Sequence, residues 1–235
     1  MIVADSISKS FGARRVLSAA TLRAPSHKVT GLLGRMGSGK STLLKICAGL
    51  IAPDAGWVEI NSSRFHRTRH SLLARKGLFY LADTDNLAWT LSVRDHFSEL
   101  HRIFDLRVDD EIVTELNIGH LLDRGVSSLS GGETRKVEIA IAMARRPSVL
   151  LCDEPFRGAD PILCELLGSM FRRLSVDGTA VVVTGHEVNQ LMPFLDSVVW
   201  ITSGTTYHLG TPEAARSHPA FRRDYLGLGE KKASA

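Results

Sequence analysis

The run Gly34-Arg35-Met36-Gly37-Ser38-Gly39-Lys40-Ser41-Thr42 constrains this chain more than any other stretch. It has the spacing G-x-x-x-x-G-K-[ST], with Gly34 in the first place and Lys40 in the seventh. Ahead of it, Val29-Thr30-Gly31-Leu32-Leu33 reads as a buried strand; after it, Leu43, Leu44, Ile46, Cys47 and Leu50 recur at helical spacing. Strand, glycine loop and helix are the context this spacing requires. Glycines at 34, 37 and 39 let the backbone curl with its N–H groups inward and no side chain in the way of a phosphate. The helix behind presents unpaired N–H groups and the positive end of its dipole to the same anion. Lys40 adds a mobile charge for the β- and γ-phosphates, and Ser41 a hydroxyl for Mg²⁺. The alternative, a chance glycine-rich turn before a helix, is disfavoured by the number of features matched in context. By itself the loop specifies a nucleoside triphosphate and no particular machine.

Two further signals narrow the chemistry. The apolar run Val149-Leu150-Leu151-Cys152 ends in Asp153-Glu154. A carboxylate at the end of a buried strand beside a phosphate cradle holds Mg²⁺ through its water shell. Its neighbour Glu154 is placed to reach the water that attacks the γ-phosphate, assistance worth ~10²–10⁴-fold. A strand that merely ends in two acids is common, but the phosphate loop earlier in the chain lowers the weight of that reading. The other signal is Leu129-Ser130-Gly131-Gly132-Glu133 ahead of a helix rich in Ala and Ile. Here a second helix N-terminus is exposed to an anion. Taken alone, it reads as an ordinary serine cap.

The rest of the chain alternates. Residues 2–8 and 16–23 read as pairing strands around Ser10-Phe11-Gly12, where Phe11 is either a minor core residue or a ring on which a base stacks. Asp54-Ala55-Gly56 reads as a turn, 57–60 and 77–82 as strands, and 92–122 as helices that interrupt the alternation. We expect an inserted helical subdomain there. Beyond it come a helix over 131–146, strand 149–153, helix 161–174, strand 180–184, a helix near 187–194 and strand 196–202. Gly204 turns into a short strand ending near Leu209. Thr211-Pro212-Glu213 then starts a helix, with Thr as cap and Pro in its first turn.

Composition sets limits. The chain has 235 residues, enough for one large domain or a core with one insertion. A net charge of +4 is too mild to argue for nucleic acid, and none is expected as a partner. The local basic cluster Arg64, His66, Arg67, Arg69, His70, Arg75 and Lys76 reads as a solvated face, with attraction to an acidic partner or anionic lipid as the weaker reading. Cys47, Cys152 and Cys164 lack metal-ligand spacing and sit in apolar patterns, so they are expected to be buried and reduced. No apolar run approaches a membrane span, and no signal-peptide pattern is evident. The expected compartment is the cytoplasm.

These residues together resemble the ATP-binding cassette of ABC transporters over about residues 2–228. The phosphate loop, Ser130-Gly131-Gly132, Asp153-Glu154 and His186 after a strand come in that family's order. The resemblance implies an α/β fold: a P-loop NTPase (RecA-like) core at 1–83 and 127–228, an N-terminal antiparallel β subdomain, an α-helical subdomain at 84–126 and a flexible tail at 229–235. It implies a head-to-tail homodimer, or a dimer with a related cassette, with each ATP held between one phosphate loop and the partner's signature. It implies Phe11 as the adenine-stacking ring, Asp160 in the loop coupling the two sites, and His186 on the γ-phosphate. With Gly34 to Thr42, residues Ser130, Gly131 and Gly132 would complete the ATP contacts; Ser41, Asp83 and Asp153 would hold Mg²⁺; Glu154 and His186 would be catalytic. It also implies a transmembrane permease partner, which would keep the subunit at the inner face of the membrane. The stretch Glu154 to Ile162 and the ending Asp224-Tyr225-Leu226-Gly227 look most like lipopolysaccharide-export ATPases and branched-chain amino-acid uptake cassettes.

Two positions depart from the family pattern. Asp83 stands where the family usually has Gln, and Glu133 where the signature usually ends in Gln; Gln190, far away, is the one glutamine in the chain. Asp83 can still bind Mg²⁺ but donates no hydrogen bond, so slow or metal-sensitive hydrolysis is expected. Arg35-Met36 replace a more usual Pro-Asn without touching the phosphate contacts. Leu87, Trp89 and Leu91 are read either as core or as a notch for a short helix of the permease. The rival function is a soluble ABC ATPase driving assembly of a scaffold, as in iron–sulphur biogenesis. The DNA-repair kind needs a coiled-coil insertion, the translation kind two cassettes, and a metabolic kinase has no use for Ser130-Gly131-Gly132.

Overall fold

The computed structural model describes residues 1–84, 86–186 and 188–227, so Asp85 of the polar loop and the expected tail at 229–235 lie outside the described residues. In chain order the strands are β1 Ile2–Phe11, β2 Arg14–Ala24, β3 Lys28–Leu33, β4 Ala55–Ile60, β5 Ser63–Phe65, β6 Leu78–Leu81, β7 Val149–Cys152, β8 Ala180–Gly185, β9 Ser197–Thr202 and β10 Thr205–Gly210. The α-helices are α1 Lys40–Cys47, α2 His70–Arg75, α3 Val93–Phe104, α4 Asp110–Glu115, α5 Gly131–Arg145, α6 Pro161–Val176, α7 Val188–Leu191, α8 Pro212–Ser217 and α9 Pro219–Asp224.

Predominantly apolar runs must be covered on both faces, and β3, β7 and β8 are buried almost throughout. They lie in one sheet of order β10-β9-β3-β8-β7-β6, parallel except for β10, which runs antiparallel to β9. Side chains alternate between its faces. Leu150, Cys152, Val181 and Val183 point into a core shared with α5, α6 and the helical insertion. Val149, Leu151, Ala180 and Val182 point the other way, against α1 and the second sheet. That sheet is antiparallel, of order β2-β1-β4-β5. The parallel strands end together, which gathers the phosphate loop after β3, Asp153 after β7 and His186 after β8 at one edge.

Between β6 and α5 the chain leaves the sheet. Ser92 caps α3 in a reciprocal box with Asp95. Ile112, Leu116, Ile118 and Leu121 pack in the same core as Val137 and Ile141 of α5. The insertion is pinched at its neck: Val126 N donates to Leu91 O (3.0 Å), Val93 N to Arg124 O (3.1 Å) and Arg94 N to Leu122 O (2.8 Å).

Several elements differ from the sequence expectation. Ala55 and Gly56 begin β4 instead of forming a turn. Helix α1 stops at Cys47 and not at Leu50, because Gly49 turns the chain at φ +70°. The helix expected near 187–194 is a single turn, α7, followed by a 3₁₀ turn Met192–Phe194 whose Pro193 supplies no N–H to continue it. Strand β5 and helices α2 and α9 were not expected. Their own apolar pattern is too sparse to register: α2 buries only Leu73, α9 only Phe221 and β5 no residue. The basic cluster is a surface face, with Arg64, His66, Arg67, Arg69, Arg75 and Lys76 exposed. The three cysteines are buried, and burial pushes the Cys47 thiol up to about 12.

Candidate nucleotide site

The loop from Gly34 to Gly39 is built as its composition requires. Gly39, which precedes α1, has φ +107°, and a Cβ there would stand 2.7 Å from Leu17 Cδ2. A Cβ on Gly34 would lie 2.4 Å from the backbone oxygen of Ile201, so this glycine lets β9 pack against the loop. Lys40 is buried, and its Nζ donates to Gly34 O at 2.9 Å. Arg35 and Met36 project outward, Met36 being 87% exposed.

Three hydroxyls converge on Asp153, itself only 3% exposed. Ser41 Oγ donates to Oδ1 (3.0 Å), Thr184 Oγ1 to Oδ1 (2.8 Å) and Tyr80 OH to Oδ2 (3.2 Å). Among the described residues no Lys or Arg forms an ion pair with it. Burial and the Asp153 charge raise the Tyr80 phenol well above its ordinary range, so Tyr80 remains a donor. Glu154 follows in the left-handed region at φ +49°, an unusual conformation for a non-glycine residue. Its N–H donates to Thr184 Oγ1 at 2.8 Å, so one threonine hydroxyl orients both acids. The Glu154 carboxylate lies 3.3 Å from Lys40 Nζ through Oε1 and 2.7 Å from His186 Nδ1 through Oε2.

A cleft of about 670 Å³ is lined by Phe11, Gly37, Lys40, Ser41, Thr42, Asp83, Glu154 and His186, together with Arg14, Val16, Met36, Gly39 and Arg157. Phe11 is 49% exposed at the end of β1, with Lys9 Nζ 5.5 Å from its ring centre. The Asp83 carboxylate pairs with Arg157 Nη1. Ser130, Gly131 and Gly132 do not line this cleft. Ser130 caps α5 in a reciprocal box with Glu133, and Gly131 and Gly132 line a separate cleft of about 420 Å³ with Trp89, Arg135 and Ala159. Asp160 caps α6, its Oδ1 accepting from Leu163 N at 2.8 Å. Of the three apolar residues after the polar loop, Leu87 is core and Trp89 is 64% exposed.

The arrangement fits a magnesium nucleotide. Hydroxyl and carboxylate oxygens are the donors Mg²⁺ prefers. Ser38 Oγ, inside the loop, is a buried polar atom without a hydrogen-bond partner among the described residues. The pattern of the ABC transporter domain matches residues 17–157. This chain belongs to the ABC transporter ATP-binding family. Members of the family bind ATP, normally with Mg²⁺, and hydrolyse it. The cassette is 31% identical to the lipopolysaccharide export system ATP-binding protein LptB of Haemophilus influenzae over 237 residues, covering 97% of each chain. It is 33% identical to LptB of Escherichia coli K12, covering 96% of this chain and 97% of the other. A probable ABC transporter ATP-binding protein of Azorhizobium caulinodans is 34% identical, covering 96% of this chain and 83% of the relative. Two solved structures share the fold: an ABC transporter cassette in its ADP conformation, with TM-score 0.81, 22% identity and coverage of 97% and 98%, and an ABC transporter ATP-binding subunit, with TM-score 0.82, 24% identity and coverage of 100% and 95%.

Sequence reading passed over Thr184, Tyr80 and Arg157. Thr184 left a trace as the one polar side chain in Val181-Val182-Val183-Thr184, where a buried hydroxyl needs a partner. Tyr80 and Arg157 left none. Tyr80 reaches Asp153 because β6 lies beside β7 in register, with Leu81 opposite Cys152.

Proposed function

We propose that this cassette is the ATP-hydrolysing subunit of an ABC transporter, closing head to tail on a second copy around two ATP to drive a separate membrane-embedded permease. The observation that carries this reading is the division of the anion-binding parts. Lys40, Ser41, Glu154 and His186 share one cleft, whereas the Ser130-capped N-terminus of α5 stands outside it, exposed. A second anion surface that does not reach its own chain's cleft has a use when a rotated copy brings it over the other's nucleotide. Segments 1–83 and 127–228 then act as the ATP-binding core and 84–126 as the helical subdomain that the permease engages, with exposed Trp89 lining the cleft at the start of α5.

In this reading Phe11 stacks on the adenine, and Gly34 to Thr42 wrap the phosphates with Lys40 on the β- and γ-groups. Ser41 and Asp153 hold Mg²⁺, and Asp83 lies at the same edge of the cleft. Mg²⁺, when bound, supplies positive charge across the β- and γ-phosphates. Glu154 accepts a proton from the attacking water, and His186 steadies the γ-phosphate. Ser130, Gly131 and Gly132 close on the partner's ATP, and Asp160 links the two sites. Among the described residues no helix is long and apolar enough to cross a membrane. Affinity capture of the tagged protein from detergent-solubilised membranes tests the reading. A polytopic membrane protein retained in near-equal amount is expected; a soluble scaffold in its place would move the cassette to the assembly class.

A further inference from the structure

The Asp83 backbone is held from behind by a buried network. Arg135 Nη2 donates to Asp83 O at 3.1 Å, and Arg135 pairs with Glu138 at 2.8 Å. Asn86 donates to Glu138 (2.9 Å) and accepts from Ala82 N (2.7 Å). Arg157 sits on the turn that starts at Glu154, its N–H donating to Glu154 O at 3.1 Å. The Asp83–Arg157 pair therefore joins two anchored segments, and both residues line the nucleotide cleft and the neighbouring cleft at α5. The two side chains are 30% and 61% exposed. An ion pair so open to water adds little to folding stability. Its consequence is local: it cancels a carboxylate that would otherwise face a triphosphate.

We propose that Arg157 is a positioning residue for the nucleotide reaction, holding and neutralising the Asp83 carboxylate so that the pair stands where a neutral amide would suffice. This rests on the nucleotide-site reading above. Unpaired, a carboxylate at the edge of the cleft repels the terminal phosphates and weakens binding by about tenfold at the dielectric of a protein surface.

The experiment measures affinity for a fluorescent ATP analogue with Mg²⁺ in four proteins: native, Arg157→Ala, Asp83→Gln and the double variant. Arg157→Ala is expected to weaken binding by about tenfold when Asp83 is present and by less than about twofold once Asp83→Gln has been made. The loss should shrink in high salt, as an electrostatic effect does. Arg157→Lys should recover most of it, and Arg157→Gln, which keeps side-chain bulk at the turn but carries no charge, should repeat the Ala result; native-like binding by Arg157→Gln would overturn the charge argument. An equal effect of Arg157→Ala with and without Asp83→Gln would overturn the pairing alone. Failure of the native protein to bind the analogue would overturn the wider reading and this one with it.

Discussion

His186 Nδ1 lies 2.7 Å from Glu154 Oε2. The two residues come from the ends of adjacent parallel strands, β7 and β8, and their contact ties the proposed base to the proposed γ-phosphate sensor. Glu154→Gln preserves the side-chain shape but removes the proton acceptor. Hydrolysis should fall ~10²–10⁴-fold while ATP is still held. With ATP and Mg²⁺ the variant is expected to elute from gel filtration as a dimer. A monomer alone under those conditions would refute the head-to-tail arrangement.

Thr184 spends its hydroxyl twice, accepting from Glu154 N and donating to Asp153 Oδ1, and it is fully buried. Thr184→Val keeps the volume and leaves both partners short of a bond. Urea unfolding should show a loss of about 1–3 kcal/mol, the cost of leaving a buried polar group unsatisfied. Mg²⁺-dependent ATP binding should weaken with it, and Thr184→Ser should retain both bonds and most of the stability. An unchanged unfolding midpoint in the valine variant would show that the hydroxyl does not organise the acids.

Asp83→Gln restores a hydrogen-bond donor at the edge of the cleft. One preorganised donor is worth roughly 10²–10³ in rate, so turnover at saturating ATP should rise by about tenfold or more. Steady-state hydrolysis of native and variant proteins measures it directly. No gain would mean that Asp83 does not limit the reaction.

Glu133 answers its own departure from the family pattern, since Glu and Gln both close a capping box with serine. Its carboxyl accepts from Ser130 N at 2.7 Å, and this contact, then the Ser130 hydroxyl and the Arg124 charge, holds its pKa below the ordinary 4.5. A depressed acid pKa stabilises the folded state above the unfolded value and stops doing so as pH falls through the folded one. Amide exchange in the first turn of α5 should therefore quicken as pH drops below that range, after correction for intrinsic rates. Glu133→Gln should flatten the dependence. Equal acid sensitivity in both proteins would place the cause elsewhere.

Much of this molecule was legible because its signals are local. The long apolar runs at 149–152 and 180–183, the glycine spacing before Lys40 and the Thr211-Pro212 start each declare an element within a few residues. Strand β5 and helices α2 and α9 left little trace because contacts elsewhere, not their own pattern, hold them. Helix α2 is one case: Leu73 packs in the core and His70 Nδ1 lies 2.9 Å from Ala48 O.

The sequence alone determined the phosphate loop, the order of the motifs and the family to which they point, since each depends on residues adjacent in the chain. Only the tertiary structure decided who surrounds Asp153 and who neutralises Asp83. Tyr80 and Thr184 arrive at one carboxylate from β6 and β8 and Ser41 from the first turn of α1, and Arg157 meets Asp83 across a long stretch of chain. Contacts of that kind are set by sheet register and by which strand lies beside which, and neither is written in any single segment.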